Sequence, residues 1–278
     1  MSDTLIISWT TFVYLASFAF YLVRMVYGRE CCSTPASWIA RIGFTMHSAA
    51  LLLRWKSSYD LGIGHVPLSN FYESLVFFSW SVLLIHLILE GRSKIRSLGT
   101  FLMPVAFLLL AYASMVPGVN NRIQPLIPAL QSNWLTVHVL TCFLGYASFA
   151  AAFALGIMAL LQNDNPAGGG SRLRQRIPTG DALEELLYQS ALLGFLFLSL
   201  GIATGSIWAH SAWGSYWSWD PKETWSLITW IVYALMLHAR AMRGWRGKRM
   251  AWLSLVGFAS VLFTYLGVNY LDSLHSYF

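Results

Sequence analysis

The sequence predicts an all-α integral membrane protein of about eight transmembrane helices, with both termini on the outer (periplasmic or lumenal) side. Three observations predict it. The 278 residues are 56% apolar and 11% charged, less than half the roughly 25% charged content of soluble domains. Apolar runs of about 20 residues, the length needed to cross a bilayer, recur along the chain. Basic residues gather at alternate ends of those runs, which sets an orientation.

The runs lie near 5–27, 38–55, 70–89, 98–116, 134–161, 184–207, 222–240 and 250–270. Asp3 is the only charge before the first run, and Arg24 and Arg29 follow it. A secretory signal peptide has the opposite polarity, so this segment is expected to stay as a helix with its N-terminus outside. On that orientation the inner ends and loops hold Arg24, Arg29, Arg41, Arg92, Lys94, Arg96, Arg172, Arg174, Arg176, Arg240, Arg243, Arg246, Lys248 and Arg249. The outer side holds Arg54, Lys56, Arg122 and Lys222, fourteen cations against four. The net charge of +6 is therefore a topological signal and gives no reason to expect nucleic acid.

The third run opens at Ser69-Asn70 with Glu73 placed as a cap partner. Pro117-Gly118, Pro125 and Pro128 keep 117–133 from being one continuous helix. Residues 162–180, with Gly168-Gly169-Gly170 and three arginines, read as a basic inner linker dividing five helices from three. Asp181, Glu184 and Glu185 suit the first turn that follows it. Gly201 and Gly205, four apart, predict close helix packing. Asp220-Pro221-Lys222-Glu223 is a capping box with proline in the first helical position. The expected organisation is one polytopic membrane domain over 1–278, with the linker at 162–180 and an outer tryptophan-rich loop at 208–221. Walker A, C-x-x-C and C-x-x-C-H motifs are absent from the sequence, and Cys31, Cys32 and Cys142 are expected to be free thiols.

Residues 208–220 hold Trp208, Trp213, Trp217, Trp219, Tyr216 and His210. Such rings can stack on a flat macrocycle, although tryptophan also collects at both membrane interfaces. His138 lies four residues inside the fifth run, about 6 Å of rise from its outer end, and His275 follows the eighth. Both can reach the tryptophan-rich loop, as bis-histidine haem ligation would require. His238 is 18 residues past Asp220, about 27 Å along the helix, and so belongs to a separate inner site. His47 and His86 are candidate inner partners or packing histidines, His210 is a reserve ligand, and His65 is expected to be solvated.

Trp213-Gly214-Ser215-Tyr216-Trp217-Ser218-Trp219-Asp220 fits the WGxxWxWD signature of the haem-handling WWD family. Pro221-Lys222-Glu223-Thr224-Trp225 with His238 resembles its CcsA/ResC branch, as do Pro67 to Ser74, Pro125 to His138, and Gly267 to Tyr277. The resemblance implies a subunit of the system II cytochrome c synthase, a holocytochrome c synthase or haem lyase active with a CcsB/ResB-type membrane partner. Such a pair moves haem b across a bacterial plasma membrane or a thylakoid membrane and presents it to an apocytochrome c C-x-x-C-H segment. By position, His138 and His275 are implied as the outer axial ligands. Trp213, Trp217, Trp219 and Asp220 form the implied platform, and His238 is one ligand of an inner haem whose other ligand comes from the partner. Two cysteine thiols of the substrate add across the haem vinyl groups, so no acid-base catalyst is assigned. Lys222 and Arg122 are outer candidates for the propionates.

Two other readings belong to different classes. A membrane b-type cytochrome would commonly carry two histidines on one helix, and none of these runs does. A transporter of another aromatic solute would use His238 as a proton relay and the tryptophans as a gate.

Overall fold

A computed structural model describes residues 2–116, 119–163, 176–178 and 180–271 of the chain. Among them are eight α-helices: α1 (Asp3–Tyr27), α2 (Ser33–Asp60), α3 (Phe71–Ser93), α4 (Leu98–Met115), α5 (Asn133–Asn163), α6 (Gly180–Trp213), α7 (Pro221–Arg243) and α8 (Lys248–Tyr265). One helix lies over each apolar run of the sequence. Among the described residues, α1, α3, α4, α5 and α6 are long and apolar enough to cross a membrane. The less apolar α2 carries Arg41, His47, Arg54 and Lys56, and α7 carries Lys222, Glu223, His238, Arg240 and Arg243.

Local chemistry explains the ends of these helices. Ser2 caps α1, and Gly28 closes it in the left-handed region at φ 71°. Asn70 caps α3 by accepting from the Glu73 N–H at 2.9 Å. α6 continues past 207 to Trp213, because Trp208 to Ala212 contains no helix breaker. Gly214 then turns the chain at φ 78°, its N–H donating to the His210 carbonyl at 2.9 Å. The first part of the tryptophan-rich stretch is therefore helical.

The chain forms two compact units, residues 1–126 with 167–178, and residues 127–166 with 179–278. The sequence suggests a division of five helices from three at the linker, whereas α5 packs with the last three helices and each unit has four. In the first unit α1 packs on α2 and α4, and α3 on the same two, closing a ring. In the second, α5 packs on α6 and α8, and α7 on the same two.

The α1–α2 seam is polar along its length. Tyr14 Oη lies 2.8 Å from His47 Nδ1, and Ser17 Oγ donates to the Ala36 carbonyl at 2.9 Å. Tyr21 Oη donates to Glu90 Oε2 at 2.7 Å, Ser37 Oγ donates to Glu90 Oε1, and His86 Nε2 stands 3.3 Å from Glu90 Oε2. At the other end Arg54 donates to Glu73 at 2.8 Å and to Asp3 at 2.9 Å, and its guanidinium also covers the Tyr72 ring. Arg54 is thus a buried, paired cation and not an outer loop charge.

The α5–α6 seam in the second unit is built on small residues. A Cβ at Gly145 would meet the Leu198 backbone nitrogen at 3.1 Å, and one at Gly194 would meet the Phe149 ring at 2.5 Å. Close backbone approach of this kind is a membrane-helix packing device. Phe149 stacks in turn on Tyr233 of α7, with ring centroids 3.5 Å apart.

Candidate functional site

The second unit assembles its aromatic and histidine residues from α5, α6, the 214–220 connection and the start of α7. His138 sits in the second turn of α5 and is half-buried. Its Nδ1 lies 2.7 Å from the Gly201 carbonyl on α6. A carbonyl oxygen only accepts, so Nδ1 carries the proton, and in the neutral imidazole Nε2 keeps the lone pair. This is the tautomer a histidine needs to ligate iron through Nε2, with the other nitrogen oriented by a backbone acceptor.

Trp208 lies against the same imidazole. The rings stack with centroids 5.8 Å apart at 21°, and the indole N–H donates to the Ala129 carbonyl at 2.8 Å. Trp213 meets Trp208 edge-on at 4.8 Å. Trp208 therefore joins the candidate site as the ring that backs His138, a role its place in the aromatic stretch hinted at without specifying.

Beyond Gly214 the connection displays its rings. Trp217 and Trp219 meet edge to face at 5.8 Å, and Trp219 is 69% exposed. Trp219 adopts φ 60°, a conformation that costs a bulky residue about 1–3 kcal/mol and persists only where neighbours over-determine it. Here those neighbours are the α7 cap. Glu223 Oε2 accepts from the Ser218 N–H at 2.8 Å and the Asp220 N–H at 3.3 Å, while Asp220 accepts from the Lys222 N–H at 2.9 Å. The capping box expected at Asp220 is present, with Asp220 only 7% exposed. It holds Trp219 in the strained conformation with its ring outward.

Lys222 lies within electrostatic reach of Asp220 and of Cys142, the latter one turn along α5 from His138. Arg122, the other candidate propionate partner, is exposed in the first unit. His210 is exposed and stacks on Tyr216 at 4.2 Å. His275 lies outside the described residues, so its place beside the tryptophans is not part of this geometry.

His238 stands on the exposed face of α7, in line with exposed Ile231, Leu235 and Met242. His47 and His86 are fully buried in the first unit, engaged with Tyr14 and with Tyr21 and Glu90. They are hydrogen-bonded packing histidines of that unit. His65, expected in solvent, is 7% exposed, its ring nitrogens against the Val66 and Gln124 carbonyls at 2.9 and 3.1 Å. That burial follows from a backbone contact 59 positions away, which local sequence does not encode. Cys31, Cys32 and Cys142 are free thiols, as expected.

Eight helices among the described residues, several of them apolar enough to span a bilayer, define a polytopic helical membrane protein, which carries a cap-strained aromatic display and an imidazole oriented by a backbone carbonyl. The chain belongs to the cytochrome C assembly protein family, whose profile matches residues 68–275. The cytochrome c biogenesis protein CcsA of Chlamydomonas reinhardtii is 42% identical over 232 residues, covering 82% of this chain and 64% of its own. That of Mesostigma viride is 37% identical over 298 residues, covering 96% of both. The solved cytochrome c heme lyase CcmF shares the fold with a TM-score of 0.73 over 96% of this chain, at 17% identity. This chain spans 47% of that lyase's length. The protein is a membrane component of cytochrome c biogenesis, and neither an electron-carrying b-type cytochrome nor a transporter of another solute finds support in these likenesses.

Proposed function

We propose that this chain is the CcsA-type subunit of a system II cytochrome c synthase, crossing the membrane eight times with both termini on the outer side. Its membrane is a bacterial plasma membrane or a thylakoid membrane. Haem b is its cargo, and it works with a CcsB/ResB-type membrane partner and an apocytochrome c. His138 and His275 hold the haem iron from its two axial sides. Trp213, Trp217 and Trp219 line the macrocycle, by ring face or ring edge, while Asp220 holds the platform to α7. Lys222 serves a propionate. When bound, haem supplies the vinyl groups that take up the two substrate thiols, each S–H adding across one C=C.

The observation that supports this reading best is the His138 imidazole, bonded through Nδ1 to Gly201 at 2.7 Å and backed by Trp208. It leaves Nε2 as the ligating nitrogen, in a chain that belongs to a cytochrome c assembly family. The exposed Trp219 ring on a strained backbone supports the platform.

His238 is one axial ligand of an earlier, inner haem. Its exposure on α7, and the engagement of His47 and His86 within the first unit, favour an opposing ligand from the partner protein.

Co-expression of the chain with a CcsB/ResB-type partner and a reporter apocytochrome tests the reading. The intact pair is expected to attach haem covalently, and His138→Ala to abolish the attachment and to remove the outer haem's share of the low-spin bands, leaving that of the inner haem at His238. A purified pair free of haem after haem-replete expression would sink the proposal.

A further inference from the structure

Gly201 and Gly205 on α6 read in sequence as ordinary helix packing, but Gly205 faces the imidazole of His138, and Gly201, which faces Cys142, offers that imidazole its carbonyl. A Cβ at Gly205 would lie 2.5 Å from His138 Nδ1 and 2.7 Å from Cε1. A Cβ at Gly201 would lie 2.6 Å from Cys142 Sγ, one turn further along α5. The Gly201 carbonyl is itself the acceptor for Nδ1 at 2.7 Å, and it also takes the Thr204 hydroxyl at 3.2 Å. The absence of a side chain at Gly205 lets the imidazole lie against the α6 backbone, and its absence at Gly201 admits Cys142 beside it. The carbonyl there decides which ring nitrogen is protonated. Gly145 and Gly194, on the same seam, face a backbone nitrogen and the Phe149 ring. Of the four glycines, Gly205 makes room for the imidazole and Gly201 supplies its acceptor, whereas Gly145 and Gly194 serve packing alone.

We propose that Gly201 and Gly205 are positioning residues for His138, forming a slot that orients the imidazole and keeps Nε2 as its unprotonated nitrogen. The inference rests on the reading of His138 as an axial ligand and adds what sets its geometry. Serine, alanine or any larger residue at 205 occupies the space of the ring and pushes it off the Gly201 carbonyl. Loss of an orienting partner of a metal-bound histidine typically weakens metal binding roughly 10- to 100-fold.

The test uses the full chain co-expressed with a CcsB/ResB-type partner under haem-replete conditions, with haem retention and visible spectra read on the purified pair. Gly205→Ala is expected to retain the outer haem roughly 10- to 100-fold less tightly and to lose that haem's share of the six-coordinate low-spin bands, which added free imidazole restores, while the inner haem's share stays. Gly194→Ala, which strikes Phe149, is expected to lower thermal stability while keeping the wild-type spectrum. Gly201→Ala is expected to disturb the spectrum, and adding Cys142→Ala to restore it, because the thiol is the atom its Cβ strikes. A wild-type spectrum in Gly205→Ala would overturn the slot. So would equal haem loss in Gly205→Ala and Gly194→Ala, with no rescue by imidazole.

Histidine-selective nitrogen NMR of the haem-free chain judges the inference even if Gly205→Ala does not fold. The Nδ1–H tautomer is expected at His138, and the Nε2–H tautomer overturns the slot. If His138→Ala keeps the full haem spectrum, the ligand reading fails, while the tautomer measurement still decides whether the slot orients the ring.

Discussion

The two four-helix units use polar side chains in opposite ways. In the first, Arg54 is closed off by Asp3 and Glu73, His86 by Tyr21 and Glu90, and His47 by Tyr14, all buried between helices. In the second, Trp219, Tyr216 and His238 are exposed, and the caps and hydrogen bonds around Trp219 act to hold a ring outward. Buried ionisable groups in an apolar medium are tolerable only when paired, so the first unit uses its charges for its own cohesion. The second leaves aromatic and imidazole groups open to a ligand or to another protein. Family membership alone would not separate these roles, because the matching profile spans both units.

Breaking the first unit's pairs should affect stability more than haem. Arg54→Ala leaves Glu73 as a buried carboxylate without its cation and Asp3 without its partner, and about 3–5 kcal/mol of stability should be lost. Denaturant unfolding in detergent measures it, and the haem spectrum of the surviving folded fraction should stay as in the wild type. A spectrum that collapses in step with stability would erase the contrast between the units. Tyr14→Phe is a smaller break. Losing the Tyr14 hydroxyl removes the partner of His47 Nδ1 at a fully buried site, at a cost of about 1–3 kcal/mol. Thermal melts read this effect, and an unchanged melting temperature in Tyr14→Phe would show that the hydroxyl's hydrogen bond carries no net stability.

Changes in the second unit should reverse the ranking, with small effects on stability and large ones on haem. Glu223→Ala frees the Ser218 and Asp220 N–H groups and should cost about 1 kcal/mol. Proteolysis at 214–220 should accelerate, and less haem should be retained. Trp219→Gly removes the left-handed strain and should stabilise the connection by about 1 kcal/mol. The same variant loses a stacking ring worth about 0.5–1.5 kcal/mol, so haem retention should fall several-fold while the melting temperature rises. Parallel movement of the two quantities would argue that Trp219 is structural.

Helix positions were legible in the sequence because run length and terminal chemistry are local properties. The Asp220 capping box and the Asn70 cap each involve residues within a few positions of one another. His65 and Arg54 were not legible in this way. One meets the Gln124 carbonyl, and the other pairs with Asp3, 51 positions away, so both read as solvent-side groups until the helices are packed. The candidate site divides along the same line. The tryptophans, Asp220 and His138 could be picked out by residue type and depth, but the stacking of Trp208 on His138 joins α6 to α5 and needs their register.

By itself, the sequence determined the apolar helices, their caps and the residues able to hold a haem, because hydropathy, capping and ligand chemistry belong to short segments. Only the tertiary structure decided that α5 joins the last three helices, that Arg54 pairs with both Asp3 and Glu73, and that Gly205 faces an imidazole held by the Gly201 carbonyl. Those facts depend on which helix faces meet, and the free energy that selects them comes from contacts between residues far apart in the chain.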